Sequence, residues 1–202
     1  MKRILSALAL AIALSALSAA ARADSIVLTT TLSGANEVPP NASTGIGSAL
    51  VTLDTVTNLL TVNVAFAGLV SPTTVAHIHC CAGPGGIAIP ATTTPSFPGF
   101  PVGVTTGTYL NTFDLTLASS YNPAFITAHG GTVAGAQAAF LAGLLDGQAY
   151  FNIHTTQFPN GEIRGQLVQE QPVPEPATLV LLGTGLAGIA ARARRRRRTM
   201  NS

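Results

Sequence analysis

Between Asp24 and Glu170 the chain has a single basic residue, Arg164, against seven acidic ones, a balance of −6. Nucleic-acid binding rests on Lys and Arg clusters that neutralise phosphates, so that class is excluded for this stretch. The other nine basic residues lie at the two ends: Lys2, Arg3 and Arg22 at one, Arg192, Arg194 and the run Arg195–Arg198 at the other. Lys2 is the only lysine and there is no tryptophan. An acidic, lysine-free surface resists nonspecific association with anionic polymers. No Ser/His/Asp set or carboxylate pair occurs at a spacing that hydrolysis would use, and the acids are scattered. No catalytic residue is assigned, and the chain reads as non-enzymatic. Cysteine is confined to the adjacent pair Cys80-Cys81. Neighbouring Cα atoms lie about 3.8 Å apart across a trans peptide, below the usual disulfide range of about 4.4–6.8 Å. The pair therefore allows a strained vicinal disulfide, a metal thiolate, an intermolecular bridge, or one buried thiol beside an exposed one.

Three segments follow from composition. Residues 1–23 have the form of a signal peptide: Lys2-Arg3, an apolar run from Ile4 to about Leu17, then Ala21-Arg22-Ala23, which suits signal peptidase cleavage before Asp24. Residues 24–170 are long enough to bury one core without disulfide staples. Residues 171–202 contain Val173-Pro174-Glu175-Pro176, an uncharged run over 177–191, and the arginine-rich tail 192–198. A helix over 177–191 spans roughly 22 Å, short of the roughly 30 Å hydrocarbon core, but long arginines reach back from the interface. Clustered arginine stays on the cytoplasmic side, which predicts a transmembrane helix with the domain outside.

The pattern of 24–170 is β. Ile26, Leu28, Thr30 and Leu32 alternate with polar residues, as do Ala49, Val51 and Leu53, and then Leu60, Val62, Val64 and Phe66. Shorter strands are expected around Val75–Cys80 and Tyr109–Leu115. Thr132 is placed to cap a helix from Val133 to about Asp146, with Gly147 ending it. A further short helical segment is expected to start at Asn122-Pro123. Between these elements runs a Gly- and Pro-dense stretch, 81–106, of the length expected of a functional or disordered loop. The fold class is all-β: an antiparallel immunoglobulin-like or superoxide-dismutase-like β-sandwich with one short helix.

Chemistry concentrates in two places. In the C-terminal hairpin 149–167, turned by Pro159-Asn160-Gly161, Tyr150, Asn152 and His154 share one face, as do Glu162, Arg164 and Gln166. Upstream, His77 and His79 are i and i+2 on a strand and present two imidazoles to one point. Neutral imidazole suits copper and zinc, so His77, His79 and His154, with Cys81 or water completing the sphere, form a candidate metal site. This requires the segments near 78 and 153 to be neighbours. Arg164 is expected to clasp a carboxylate, Glu162 or Glu37. His129 has no local partner and reads as a loop residue.

Several of these motifs occur together in one known family. Gly34-Ala35-Asn36-Glu37-Val38-Pro39-Pro40, Ala76-His77-Ile78-His79, Phe151-Asn152-Ile153-His154-Thr155 and Gly161-Glu162-Ile163-Arg164-Gly165-Gln166-Leu167 resemble the CHRD domain, named for chordin. The resemblance implies extracellular placement and an immunoglobulin-like β fold, and brings no established catalysis. The His-x-His strand is also similar to that of copper/zinc superoxide dismutase, but no second histidine- and aspartate-rich loop supplies a zinc half. The C-terminal segment resembles the PEP-CTERM sorting signal, which implies cleavage by an exosortase after a membrane-bound intermediate. The expected function is an exported binding or structural module at the cell surface or in the extracellular matrix, with exopolysaccharide or matrix components as partners. A copper- or zinc-binding domain is the alternative.

Overall fold

The computed structural model describes residues 25–170, 183–189 and 192. The expected signal peptide, the Val173–Pro176 motif and most of the C-terminal helix lie outside the described residues. The chain divides into two units, Met1–Glu170 and Gln171–Ser202. In the second, residues 183–189 are helical. Among the described residues no helix is long and apolar enough to cross a membrane.

In the first unit the alternation of apolar residues becomes an antiparallel sheet. Strand β1 (Ser25–Ser33) pairs along its whole length with β2 (Ile46–Asp54), from Ser25↔Asp54 to Ser33↔Ile46. β2 pairs in turn with β3 (Leu59–Ala67). Their turn is fixed locally: the Asp54 carboxylate accepts from the Val56 and Thr57 amides at 2.9 and 2.8 Å, and Asn58 takes φ 60°. Leu28, Val51, Leu60 and Val62 point inward and are fully buried, a contribution of roughly 1.5–3 kcal/mol each. Strand β5 (Gly107–Asp114) continues the sheet beyond β3.

The remaining strands are β4 (Thr73–Cys80), β6 (Ala149–Thr155) and β7 (Ile163–Gln166), with the short β8 (Val168–Gln169) beside β1. The order is β4-β6-β7-β1-β2-β3-β5. β7 meets β1 only at Ser33↔Arg164, so the sheet bends between two halves and encloses one core. Phe97 ties its ends together: its ring lies 5.8 Å from Phe151 on β6 and 5.2 Å from Phe113 on β5. The architecture is therefore a curled antiparallel sheet that packs like a sandwich.

Two α-helices lie between β5 and β6. In α1 (Pro123–Ala128) the Asn122 side chain accepts from the Ala124 amide, and in α2 (Val133–Leu145) Thr132 accepts from Gly135. Phe140 and Leu144 of α2 are fully buried. Gly143 lets the helix approach the cysteines, since a Cβ there would fall 2.7 Å from the Cys81 sulfur.

Candidate metal centre

β6 lies between β4 and β7, and every residue in it is buried. Its apolar face, Phe151 and Ile153, belongs to the core, while Tyr150, Asn152 and His154 lie on the other face beneath a cover. The register sets His77 opposite Asn152, His79 opposite Tyr150, and Val75 opposite His154. The segments near 78 and 153 are thus adjacent strands, as the metal hypothesis required.

The Gly- and Pro-dense stretch supplies the cover. It runs along the free edge of β4, where Ala91 and Phe97 amides donate to Ile78 and Ala76 carbonyls at 2.9 and 3.2 Å. Ser96 and Thr92 hydroxyl oxygens accept from the Ala76 and Ile78 amides. Prolines fit here because they bring a carbonyl without an amide donor.

Two backbone carbonyls of this stretch and one of the hairpin turn orient the imidazoles. His77 Nε2 lies 2.6 Å from the Pro95 carbonyl, His79 Nδ1 2.8 Å from that of Ala88, and His154 Nδ1 2.9 Å from that of Pro159. A carbonyl oxygen only accepts, so each of these nitrogens carries the hydrogen. The opposite nitrogens, Nδ1 of His77 and Nε2 of His79 and His154, are buried and without hydrogen-bond partners among the described residues. One ring nitrogen from each histidine lies within 4.8 Å of the others. Burial drives the His77 pKa down to about 4, with His154 adding repulsion. Burial likewise takes His79 to about 4 and lowers His154. At neutral pH the three clustered imidazoles are therefore uncharged, and each keeps one buried ring nitrogen with a free lone pair. Fixing one ring nitrogen by a backbone carbonyl while leaving the other as a donor is the arrangement found around metal-ligating histidines.

The other expected residues are distributed differently. Among the described residues Arg164 makes no carboxylate clasp. Its guanidinium carbon lies 3.4 Å from the Tyr150 ring centroid, and Tyr150 stacks on His79 at 4.7 Å. Glu37 is buried nearby, with Oε1 unpartnered, and Asn152 Oδ1 is unpartnered as well. Burial raises the Glu37 pKa to about 7, against the opposing effect of Arg164. Glu162 leaves the Arg164 face altogether. Gly161 takes φ 127°, and the Glu162 carboxylate accepts from Ser43 Oγ, the Val70 amide and Thr155 Oγ1, each at 2.6 Å. Cys81 is corrected too: it forms a disulfide with Cys80, and its sulfur contacts the Ala139 carbonyl of α2, so it offers no thiolate to the imidazoles. His129 ends α1, its Nδ1 bonded to the Phe125 carbonyl.

Sequence reasoning missed the three carbonyls and the Tyr150 stack. The Pro159 carbonyl had a signal, since a Pro-Asn-Gly turn five residues after His154 brings it back to the ring. Ala88 and Pro95 had none, because an irregular segment carries no periodicity.

The chain matches the CHRD domain over residues 28–167 and the PEP-CTERM protein-sorting motif over residues 172–197. Neither the curated proteins nor the solved structures gave a match.

Proposed function

The chain belongs to the CHRD-domain family and carries a PEP-CTERM sorting motif, and from that premise we propose that it is a metal-binding module displayed at the cell surface. The motif marks it for export, exosortase processing and sorting to the cell envelope or surface. The ligands are His77, His79 and His154, and the bound ion is copper or zinc. One observation carries the reading: three buried imidazoles each keep a nitrogen without any protein partner, and one nitrogen of each lies within 4.8 Å of the others. An orphaned buried polar atom costs about 1–3 kcal/mol, and three in one place are accounted for by a shared ligand. A metal bonded to nitrogen at about 2.0–2.1 Å needs donors closer than this, which small ring movements supply. A structural role in the matrix fits the same placement, but the histidine cluster favours a metal as the bound species.

The test is metal content. The full chain, produced with export and purified, is loaded with copper and zinc salts, desalted and analysed for bound metal. A bound ion is expected in the wild type and its loss in His154→Gln, with far-UV circular dichroism showing that the variant keeps its fold. A wild-type chain that holds neither metal after loading refutes the proposal.

A further inference from the structure

The donor set discriminates between the two metals. All three donors are neutral, and among the described residues no carboxylate or thiolate joins their cluster, although Glu37, with Oε1 unpartnered, is buried nearby. Cys81 is in the disulfide. The Glu162 carboxylate is held by Ser43, Val70 and Thr155. Glu37 lies on the Asn152 and Arg164 side. An ion bound by the histidines thus keeps its full charge in a buried place, where His77, His79 and His154 are 5, 7 and 9 % exposed. The cost of burying an ion rises as the square of its charge, so a divalent ion costs about four times a monovalent one.

A buried cation behind the His79 ring adds to this bias. Arg164 lies over Tyr150 and Tyr150 over His79, which places a buried cation two stacked rings from the centre. It repels a divalent ion twice as strongly as a monovalent one. Coordination number points the same way. Zinc takes four ligands, and with three from the protein it needs water in the fourth position. Copper(I), a closed-shell monovalent ion, is stable with three nitrogens alone.

We propose, resting on the metal-binding reading above, that the His77/His79/His154 centre is a three-coordinate copper(I) site that rejects zinc. Its ligand class is the cuprous ion, delivered without change of oxidation state.

The experiment titrates the purified full chain anaerobically with copper(I) against a chromophoric cuprous chelator, and with zinc against a chromophoric zinc chelator. Copper(I) is expected to bind at least about a thousandfold more tightly, the equivalent of the residual cost of burying the extra charge. X-ray absorption of the copper form should show three nitrogen scatterers. Arg164→Gln should narrow the copper/zinc ratio by about tenfold, the effect of one unit charge at a distance on the order of 10 Å in an effective dielectric of about 20. Glu37→Gln at pH 8, which removes a negative charge instead, should widen the ratio. Zinc bound as tightly as copper(I), a fourth scatterer, or ratios that do not respond to these two variants overturn the cuprous assignment and leave the metal-binding function standing. Binding of neither ion overturns both.

Discussion

Replacing Glu37 by glutamine should make the domain more stable at pH 8 and leave it unchanged at pH 4. Glu37 is 6 % exposed and its Oε1 has no hydrogen-bond partner among the described residues. Burial raises its pKa from 4.5 to about 7, although Arg164, the Val38 amide and Asn152 all favour the ionised form. A carboxyl whose folded-state pKa is raised contributes its full stability below 4.5 and loses it as pH rises through 7. The span from 4.5 to about 7 corresponds to about 3 kcal/mol, lost from the wild type by pH 8. Glutamine keeps the shape and never ionises, so Glu37→Gln should recover about 2–3 kcal/mol at pH 8, a melting shift on the order of 5–10 °C for a domain this size. Urea denaturation of both proteins at pH 4, 6 and 8, followed by circular dichroism, measures the difference, and every other titrating group cancels in the comparison. A variant less stable than wild type at pH 8, or a difference that does not change with pH, refutes the argument. The first result would mean that the Arg164 attraction outweighs the burial cost.

Three further outcomes follow from the same site. The metal-free domain should lose stability in acid: His77 and His79 stay neutral down to about 4 while the unfolded imidazoles protonate from 6.5. Each then removes about 1.4 kcal/mol per pH unit across that window, and His154 acts in the same direction. Glu37 opposes them between 4.5 and 7 but is one group against three, so urea midpoints should fall from pH 6.5 to 4, and a flat profile would contradict the assignment. Gly161→Ala should destabilise by about 1–3 kcal/mol, because φ is 127° and the new Cβ falls 2.6 Å from both Glu37 Oε1 and Asn152 Nδ2. A melting temperature equal to wild type would refute it. Thr155→Val removes the hydroxyl that donates to Glu162 Oε2 at 2.6 Å and leaves a fully buried carboxylate short of a partner. Thermal melts should show a loss of about 1–3 kcal/mol, and a neutral outcome would mean that Ser43 and Val70 suffice.

The readable parts of this fold were those in which a local period carries the information. Leu28, Leu32, Val51, Leu53, Val62 and Val64 alternate, and each is inward-facing and buried. Thr132 and Asn122 announced the helix starts at which they act as caps. His77 and His79 were legible as a pair because i and i+2 share a face, and His154 because its hairpin pairs with β4. What was not legible depended on a break in period. Glu162 was assigned to the Arg164 face by counting along β7, but the backbone at Gly161 turns its side chain toward Ser43 and Val70. The state of Cys81 stayed open in the sequence, because adjacency alone does not choose among the options. The expected clasp of Arg164 assumes that a lone cation seeks a carboxylate, whereas its guanidinium lies over the aromatic face of Tyr150.

The cover over the polar face explains why a chain so poor in charge keeps histidines in its interior. An imidazole buried without partners loses two hydrogen bonds; here each recovers one from a backbone carbonyl, at Pro95, Ala88 or Pro159. Main-chain acceptors do not depend on side-chain identity, so substitutions within 81–106 that preserve the chain path should preserve the His77 and His79 tautomers. The prolines matter for that path: Pro90 bridges to His79 and Pro95 supplies an acceptor, and neither brings an amide that would itself need a partner. The second nitrogen of each ring is left over by the same arrangement. Satisfying those three nitrogens from within would require protein donors aimed at one point. Among the described residues their ring neighbours are one another and Tyr150, and His77 pairs with Asn152, whose own Oδ1 is unpartnered, so the arrangement favours an external ion.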